Sequence, residues 1–495
     1  MPWNLLSLSI ILSFLTLGII RLGSLPQFAD TYYHLLTAWG FLEAGGYSGW
    51  DFWQYAPLGR VHIYPPLLHI VMASFMKLGL LPAVTGKIFE FILPPLLLFS
   101  LWYFLKRAFN ERIAFFSLAL SASSFGFYVN LAAHPASTLA AVFGLLATDN
   151  LLRGRKVEAA LLLTLCFYTH IAVPWFFAIV FLSCFWFRRQ DCKGAILVLA
   201  AALLFSCPQL VKQFFSATGA LSVGMRLQEK YLSCFKPLEY LFAAAGIWAA
   251  LRDKKGYLAL SFMLGSLVFI FYPYRFFVAE GYLAVVLLAA LGFDYLYCRF
   301  TRRSLRMVLS LALFFIFLGS PSVAIRRSAD TGNLRFGLLG MDSAFTRLAL
   351  AEEYSGEAGL RFPDDFSFAA AFIRRNSGER DIVYSNLDVA GVALAALSGR
   401  ATSNALLPEI KPSGGFDPFR SSAVIALTRD EKEAVLAESA KRYGLEKIRE
   451  ERLFYFYHNP SAASLMHPKL ATVPWPAIGI IAALAAAVLL KKYLT

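Results

Sequence analysis

Residues 26–66 read PQFADTYYHLLTAWGFLEAGGYSGWDFWQYAPLGRVHIYPP, and LLHIVMASFMKLGLL (67–81) follows directly. The first stretch is rich in aromatics, Gly and Pro and is too polar to cross a bilayer. The second follows Pro65-Pro66 and contains His69 and Lys77. It is short for a span, which needs about 20 apolar residues. It reads as an interfacial helix lying along a membrane. Whether it spans decides the topology of everything after it.

Outward from this stretch the chain is apolar. Of its 495 residues, 58% are hydrophobic and only 16% charged, where a soluble domain carries about 25%. That excludes a single soluble globular domain and a disordered chain, and leaves a polytopic membrane protein. The run Leu5–Ile20 has no basic segment before it and no small-residue cleavage site, so it reads as a retained first span. Further candidate spans are Ile88–Leu105, Ile113–Val129, Ser137–Leu152, Val157–His170, Pro174–Phe187, Gly194–Cys207, Pro237–Leu251, Tyr257–Tyr272, Phe276–Tyr297, Met307–Ala324 and Trp475–Leu490.

The basic clusters test this layout. They are Lys106/Arg107/Arg112, Arg153/Arg155/Lys156, Arg188/Arg189/Lys193, Arg252/Lys254/Lys255, Arg299/Arg302/Arg303/Arg306 and Lys491/Lys492. With both termini cytoplasmic and 67–81 not spanning, every cluster falls inside, as the positive-inside rule requires. If 67–81 spanned, the later clusters would fall outside. The expected fold is therefore a polytopic α-helical membrane protein of about 11–12 spans. A transmembrane domain covers 1–324, with its first outer loop at about 21–85. An outer domain covers 325–472, and a last spanning helix 473–495. The net charge of +14 reflects the inside bias, and nucleic acid drops out as a partner. Six cysteines occur, none in a CxxC pair and none between 325 and 472, so the outer domain has no disulfide and no zinc-thiolate site.

The outer domain reads as mixed α/β. RDIVYSN and AVIALT have the look of short buried strands. DDFSFAAAFIRRNS and TRDEKEAVLAESAKRYG read as helices, the second with Thr428 and Glu431 at capping-box spacing. LEKIREERLFYFYHNP reads as a strand pair.

All seven histidines (His34, His62, His69, His134, His170, His458 and His467) fall on the expected outer face. That suits an outward active site, although histidine also suits any wet interface. Asp30 and His34 share one face if the segment is helical. Together they can hold a divalent metal, although spacing alone favours Asp30 as a simple N-cap. Glu43 reads as a solvated acid near a helix end. WDFWQYAPLGR gathers aromatics and Arg60 at the membrane edge, either to clamp a sugar or as an ordinary aromatic belt. Arg275 lies at the outer edge of a span, where it needs a partner. A lipid-borne phosphate, the headgroup layer and Glu280 on the same helix are all candidates. Glu229 lies in the outer loop before Pro237. There is no P-loop, dinucleotide fingerprint, GxSxG or HExxH.

ADTYYH…APLGRVHIYPPLLHIV resembles the first outer loop of the catalytic subunit of oligosaccharyltransferase, of the GT-C class of membrane glycosyltransferases. That loop has an acidic motif after the first helix, then Tyr-Pro-Leu-Gly-Arg, and Tyr-Pro before an interfacial helix. The helices flanking Thr169-His170 resemble the family's fifth and sixth. PYRFFVAEGYLAVVLLAALG is similar to its late Arg-Phe helix, and IVYSNLDVAGVALAALSGRATSNALL to its Trp-Trp-Asp segment. Where the family has Trp-Trp-Asp this chain has Asn386-Leu387-Asp388. Its second outer loop, NLAAHPAS, offers His134 in place of the family's acidic metal motif.

The resemblance implies a polyprenyl (dolichyl) phosphate or diphosphate sugar donor and an acceptor on the outer face of a multi-pass protein, in the cell membrane of a prokaryote. It implies Asp30, His134 and Glu229 in catalysis, and a divalent metal (Mn or Mg) on Asp30, His34 and His134. It implies Arg275, Arg60, His62, Tyr64, Asp388 and Arg400 in substrate binding. The acceptor is a protein, a lipid or a glycan. A non-catalytic carrier-binding homologue and, less well supported, a transporter are the other readings.

Overall fold

A computed structural model of the chain describes residues 3–21, 25–188, 194–216, 233–270, 272–327, 334–350, 363–406, 412, 415, 417–428, 433–462 and 471–494. It divides into two compact units. One comprises Met1–Arg21, Glu90–Val211 and Ser222–Glu353, and the other Leu22–Phe89, Lys212–Leu221 and Tyr354–Thr495.

The first unit is a helical bundle. Its apolar helices include Trp3–Ile20, Pro135–Leu152, Lys156–Phe167, Val173–Phe187, Pro237–Ala250 and Tyr282–Arg299. Across the chain, five helices among the described residues are long and apolar enough to cross a membrane. Trp186, Leu204 and Phe205 are exposed on helix surfaces, as contact with lipid requires. Gly246 and Gly292 let two helices touch backbone to backbone. A Cβ on Gly246 would strike the Leu288 carbonyl, and one on Gly292 the Phe242 carbonyl. This is the small-residue contact by which membrane helices pack closely. Acids on the bundle are answered by the basic clusters. Asp149 accepts from Arg107 (3.1 Å) and Arg153 (3.0 Å), and Arg112 pairs with Asp294.

Two expected spans differ in form. Ile113–Val129 is broken: Glu111–Ser123 and Phe125–Ala133 meet at 83°. The Ser124 hydroxyl caps the second piece by accepting from the Phe127 amide at 3.2 Å, which is how a helix restarts at a bend. Met307–Ala324 is a helix only to Leu318. Beyond it, Ser320–Arg327 is a strand paired antiparallel with Leu334–Asp342.

In the other unit, a five-stranded sheet has the order Glu446–Glu451, Phe454–His458, Val424–Thr428, Ile382–Tyr384, Ala401–Thr402. Ile382–Tyr384 pairs parallel with both of its neighbours, and the remaining pairs are antiparallel. The strands expected from RDIVYSN and AVIALT and the expected strand pair are all present. The helices Pro363–Asn376 and Glu433–Tyr443 match the expected ones, while Glu431 of the capping-box pair lies outside the described residues. The outer edge strand carries Lys447, Arg449, Glu450 and Glu451, a charged edge that resists pairing with other chains. Helix Asp388–Ser398 links the two parallel strands at the end of the sheet and packs against helix Ala29–Ala44 of the first outer loop.

Candidate active site

Asp30 sits in the first turn of the helix Ala29–Ala44. The N-cap is Phe28, in extended conformation, so Asp30 is not a cap. An acid in the first turn is favoured by the exposed amides there. Gly45, at φ 78°, closes the other end in the left-handed form that glycine accepts without strain. Tyr32, Tyr33, His34, Leu35, Leu36 and Thr37 are all buried, so this polar-looking helix is a core element of its unit. Gly40 is where the Trp53 ring lies flush against the helix, and a Cβ there would run into it.

The helical spacing brings Asp30 and His34 together. His34 Nε2 lies 3.4 Å from Asp30 Oδ2. His34 Nδ1 lies 2.7 Å from Nε2 of His69, which stands on the buried face of the helix Leu67–Lys77. His62 packs beside His69, with ring centres 5.5 Å apart, and Tyr64 lies 5.3 Å from His34. His34 is fully buried, whereas the Asp30 side chain is 27% exposed. Burial holds the pKa of His62 and of His69 well below the ordinary imidazole value, so both are neutral. Burial likewise pushes the Tyr33 phenol far up.

Arg60 is held by Asp51 (Nε to Oδ2, 3.1 Å) and donates to the Leu406 carbonyl at 2.9 Å. Gln54 donates to Asp51 and accepts from the Leu406 amide at 3.0 Å. These bonds stitch the first outer loop to the segment after strand Ala401–Thr402. Asp51 is raised by burial, against the pull of the Arg60 charge. Arg400 donates to Ser377 Oγ (3.0 Å) and to the carbonyls of Ser377 (3.0 Å) and Gly399 (2.9 Å). It thereby closes the ends of two helices, a structural task. Asp388 is exposed at the start of its helix, and its Oδ1 accepts from buried Asn404 at 2.9 Å.

In the helical unit, His134 links helices Phe125–Ala133 and Pro135–Leu152. Its carbonyl accepts from the Thr138 amide and the Ser137 hydroxyl, and its ring lies 6.0 Å from that of Tyr274. Arg275 Nη1 donates to Glu280 Oε1 at 2.7 Å, and its guanidinium stands over the Tyr274 ring. Glu280, one of its three expected partners, therefore pairs with it. Glu280 also lines a water-sized cavity with Asn130, Ser137 and Thr138. Nδ1 of His170 accepts from the Ala172 and Val173 amides and starts the next helix. Glu229 and His467 lie outside the described residues.

Two of the three expected metal ligands, Asp30 and His34, are neighbours, while His134 belongs to the other unit. Among the described residues no group of three His, Cys, Asp or Glu side chains gathers to hold an ion. Asp30 and His34 alone do not make a complete divalent site. Sequence reasoning missed His69 as the partner of His34, because the contact joins residues 35 positions apart.

No protein-family model matches the chain, and no curated protein matches it. Solved structures do. The Archaeoglobus fulgidus oligosaccharyltransferase in complex with zinc and sulfate superposes with a TM-score of 0.61 at 12% identity, covering 92% of this chain and 73% of that one. AglB from the same organism, in complex with an inhibitory peptide and a dolichol-phosphate, gives 0.56 at 12% identity, covering 92% and 74%. ArnT from Cupriavidus metallidurans in the apo state gives 0.55 at 12% identity, covering 93% and 99%. The chain is a polytopic helical membrane protein with the fold of the GT-C glycosyltransferases, and a divergent form of it.

Proposed function

We propose that this protein is an outward-facing GT-C glycosyltransferase that moves a sugar from a polyprenyl phosphate or diphosphate carrier to an acceptor. The observation that carries the reading is Asp30. It is a part-exposed carboxylate in the first turn of a buried helix, 3.4 Å from the imidazole of His34. A carboxylate reached by solvent can take a proton from an acceptor, as a general base must. An acceptor O–H or N–H attacks the anomeric carbon and gives its proton to Asp30. The bond from that carbon to the carrier oxygen breaks, and the phosphate leaves with the electron pair. Arg275 meets that phosphate, offsetting the charge that develops, while Glu280 fixes one edge of the guanidinium. His134 is proposed in catalysis and Asp388 in substrate binding, as the family resemblance implies. The dolichol-phosphate and peptide bound by the A. fulgidus protein support a lipid-linked donor.

A lipid or cell-surface glycan as acceptor is the second reading. Asn386-Leu387 in place of a Trp pair favours it.

The test incubates purified protein in lipid with radiolabelled polyprenyl-linked sugars, Mn²⁺ or Mg²⁺, and an acceptor extract containing sequon peptides. Label moving to peptide supports a protein acceptor, and label moving to lipid or glycan supports the second reading. Carrier bound without transfer contradicts the enzyme reading.

A further inference from the structure

Asn404 follows the strand Ala401–Thr402 and is 3% exposed. Its side-chain amide makes every bond it can form. Oδ1 accepts from the Ser385 amide at 2.8 Å and from the Thr402 hydroxyl at 3.3 Å. Nδ2 donates to the Ser385 carbonyl at 2.8 Å and to Asp388 Oδ1 at 2.9 Å. These partners fix which way the amide faces. Turned over, it would set its oxygen against the Ser385 carbonyl and the Asp388 carboxylate, and its N–H groups against the Ser385 N–H. Both contacts are costly in a buried place. Gly391, three residues past Asp388 on the same helix, leaves the room, since a Cβ there would run into Asn404 Oδ1.

Asp388 is exposed, and its helix starts without a side-chain cap bond. Among the described residues Asn404 is its hydrogen-bond partner, and no cation pairs with it. One oxygen is thus tethered by a bond of the charge-assisted kind, and the other takes no bond from these residues. A carboxylate accepts and does not donate, so the group it can recognise is an O–H or an N–H. The segment around Asn404 also grips the first outer loop. The Asn404 carbonyl accepts from the Tyr55 amide at 3.4 Å and the Thr402 carbonyl from the Ala56 amide at 3.0 Å, while the Ser403 hydroxyl donates to the Ala56 carbonyl at 2.9 Å.

We infer that Asn404 is a positioning residue: its amide holds the Asp388 carboxylate in one orientation, with one oxygen tethered and the other left to take an O–H or N–H of the substrate. This rests on the proposal of Asp388 in substrate binding. A group ordered in advance costs less to order when its ligand arrives.

Two measurements test it. Nitrogen-15 NMR of asparagine-labelled protein in lipid nanodiscs, with the Asn404 signal assigned by substitution, reads the bond itself. Asp388→Ala should move the Asn404 amide proton that faces Asp388 and leave the one that faces Ser385. Two unmoved protons overturn the inference. The second measurement is transfer of label from the polyprenyl-linked sugar pool to the acceptor extract, each titrated with the other saturating. Asn404→Ala should raise one KM by about 10-fold, the weight of a hydrogen bond to a charged group, and keep kcat. A rise for the extract places the O–H or N–H on the acceptor, and a rise for the sugar pool places it on the donor. Gly391→Ala, which displaces the amide without removing it, should raise the same KM and covers the case of an Asn404→Ala protein that does not fold. In an Asp388→Ala background neither substitution should cost anything further, because both act through Asp388. A purely structural brace would lower kcat equally in both backgrounds. That result, or unchanged KM values, overturns the inference. If Asp388→Ala alone leaves both KM values unchanged, the substrate-binding reading of Asp388 falls and the inference with it, while the NMR result still reports on the bond.

Discussion

Two carboxylates of the first outer loop, Asp30 and Asp51, stand 21 positions apart and have opposite surroundings. Asp51 is 1% exposed and closed by the Arg60 guanidinium and by Gln54. Asp30 is part exposed and lies 3.4 Å from His34, which in turn contacts His69. The first is a finished ion pair whose charge is spent on joining the loop to the α/β segment. The second keeps an open side, with its side chain 27% exposed. The contrast separates a buried, paired acid from a part-exposed one, the acid proposed above to react, and it does so by exposure rather than by residue type.

Substitutions should pull these two roles apart. Asp30→Asn is expected to lower transfer by about 10²–10⁴-fold, the usual contribution of a general base, with the thermal unfolding midpoint close to that of the parent. Asp51→Asn should do the reverse. It removes the carboxylate charge that faces buried Arg60 and should cost about 3–5 kcal/mol of stability, read by denaturant or thermal unfolding in detergent. If Asp51→Asn melts like the parent while losing activity, the contrast collapses.

A smaller effect follows from His62. Its folded pKa is depressed by burial, so in acid the unfolded chain binds a proton that the folded chain refuses. The stability it contributes is present above the unfolded value of about 6.5 and is lost as pH falls through the window below it. The slope is about 1.4 kcal/mol per pH unit from this residue. Unfolding measured between pH 7 and pH 5 should show this, and His62→Phe should flatten it. The smallest effect concerns the exposed pair Lys447–Glu450, at 2.7 Å on the edge strand. Replacing both by Gln should change stability by less than about 1 kcal/mol.

Much of this was legible in the chain. The spacing of Asp30 and His34 predicted their contact, and LEKIREERLFYFYHNP was readable as the strand pair that 446–458 forms. The quality of Asp30 as a cap was misjudged, because Phe28 takes that position through backbone conformation alone. His69 and Asn404 escaped notice because their partners, His34 and Asp388, meet them only after the fold forms. The hairpin 320–342 was hidden inside an apolar run, which does not by itself distinguish strand from helix. The bend at Ser124 was hidden because the apolar run continues across it without a proline. Arg275 and Glu280, five positions apart, were the reverse case, a pair visible in sequence and present in the fold.

The central claim is that Asp30 acts on an acceptor while a polyprenyl phosphate leaves. Its most direct test is single-turnover transfer in proteoliposomes loaded with labelled polyprenyl-linked sugar, comparing the parent with Asp30→Asn. The account predicts that label leaves the carrier in the parent and stays on it in the variant, with equal amounts of carrier bound. Equal transfer by both proteins would contradict it.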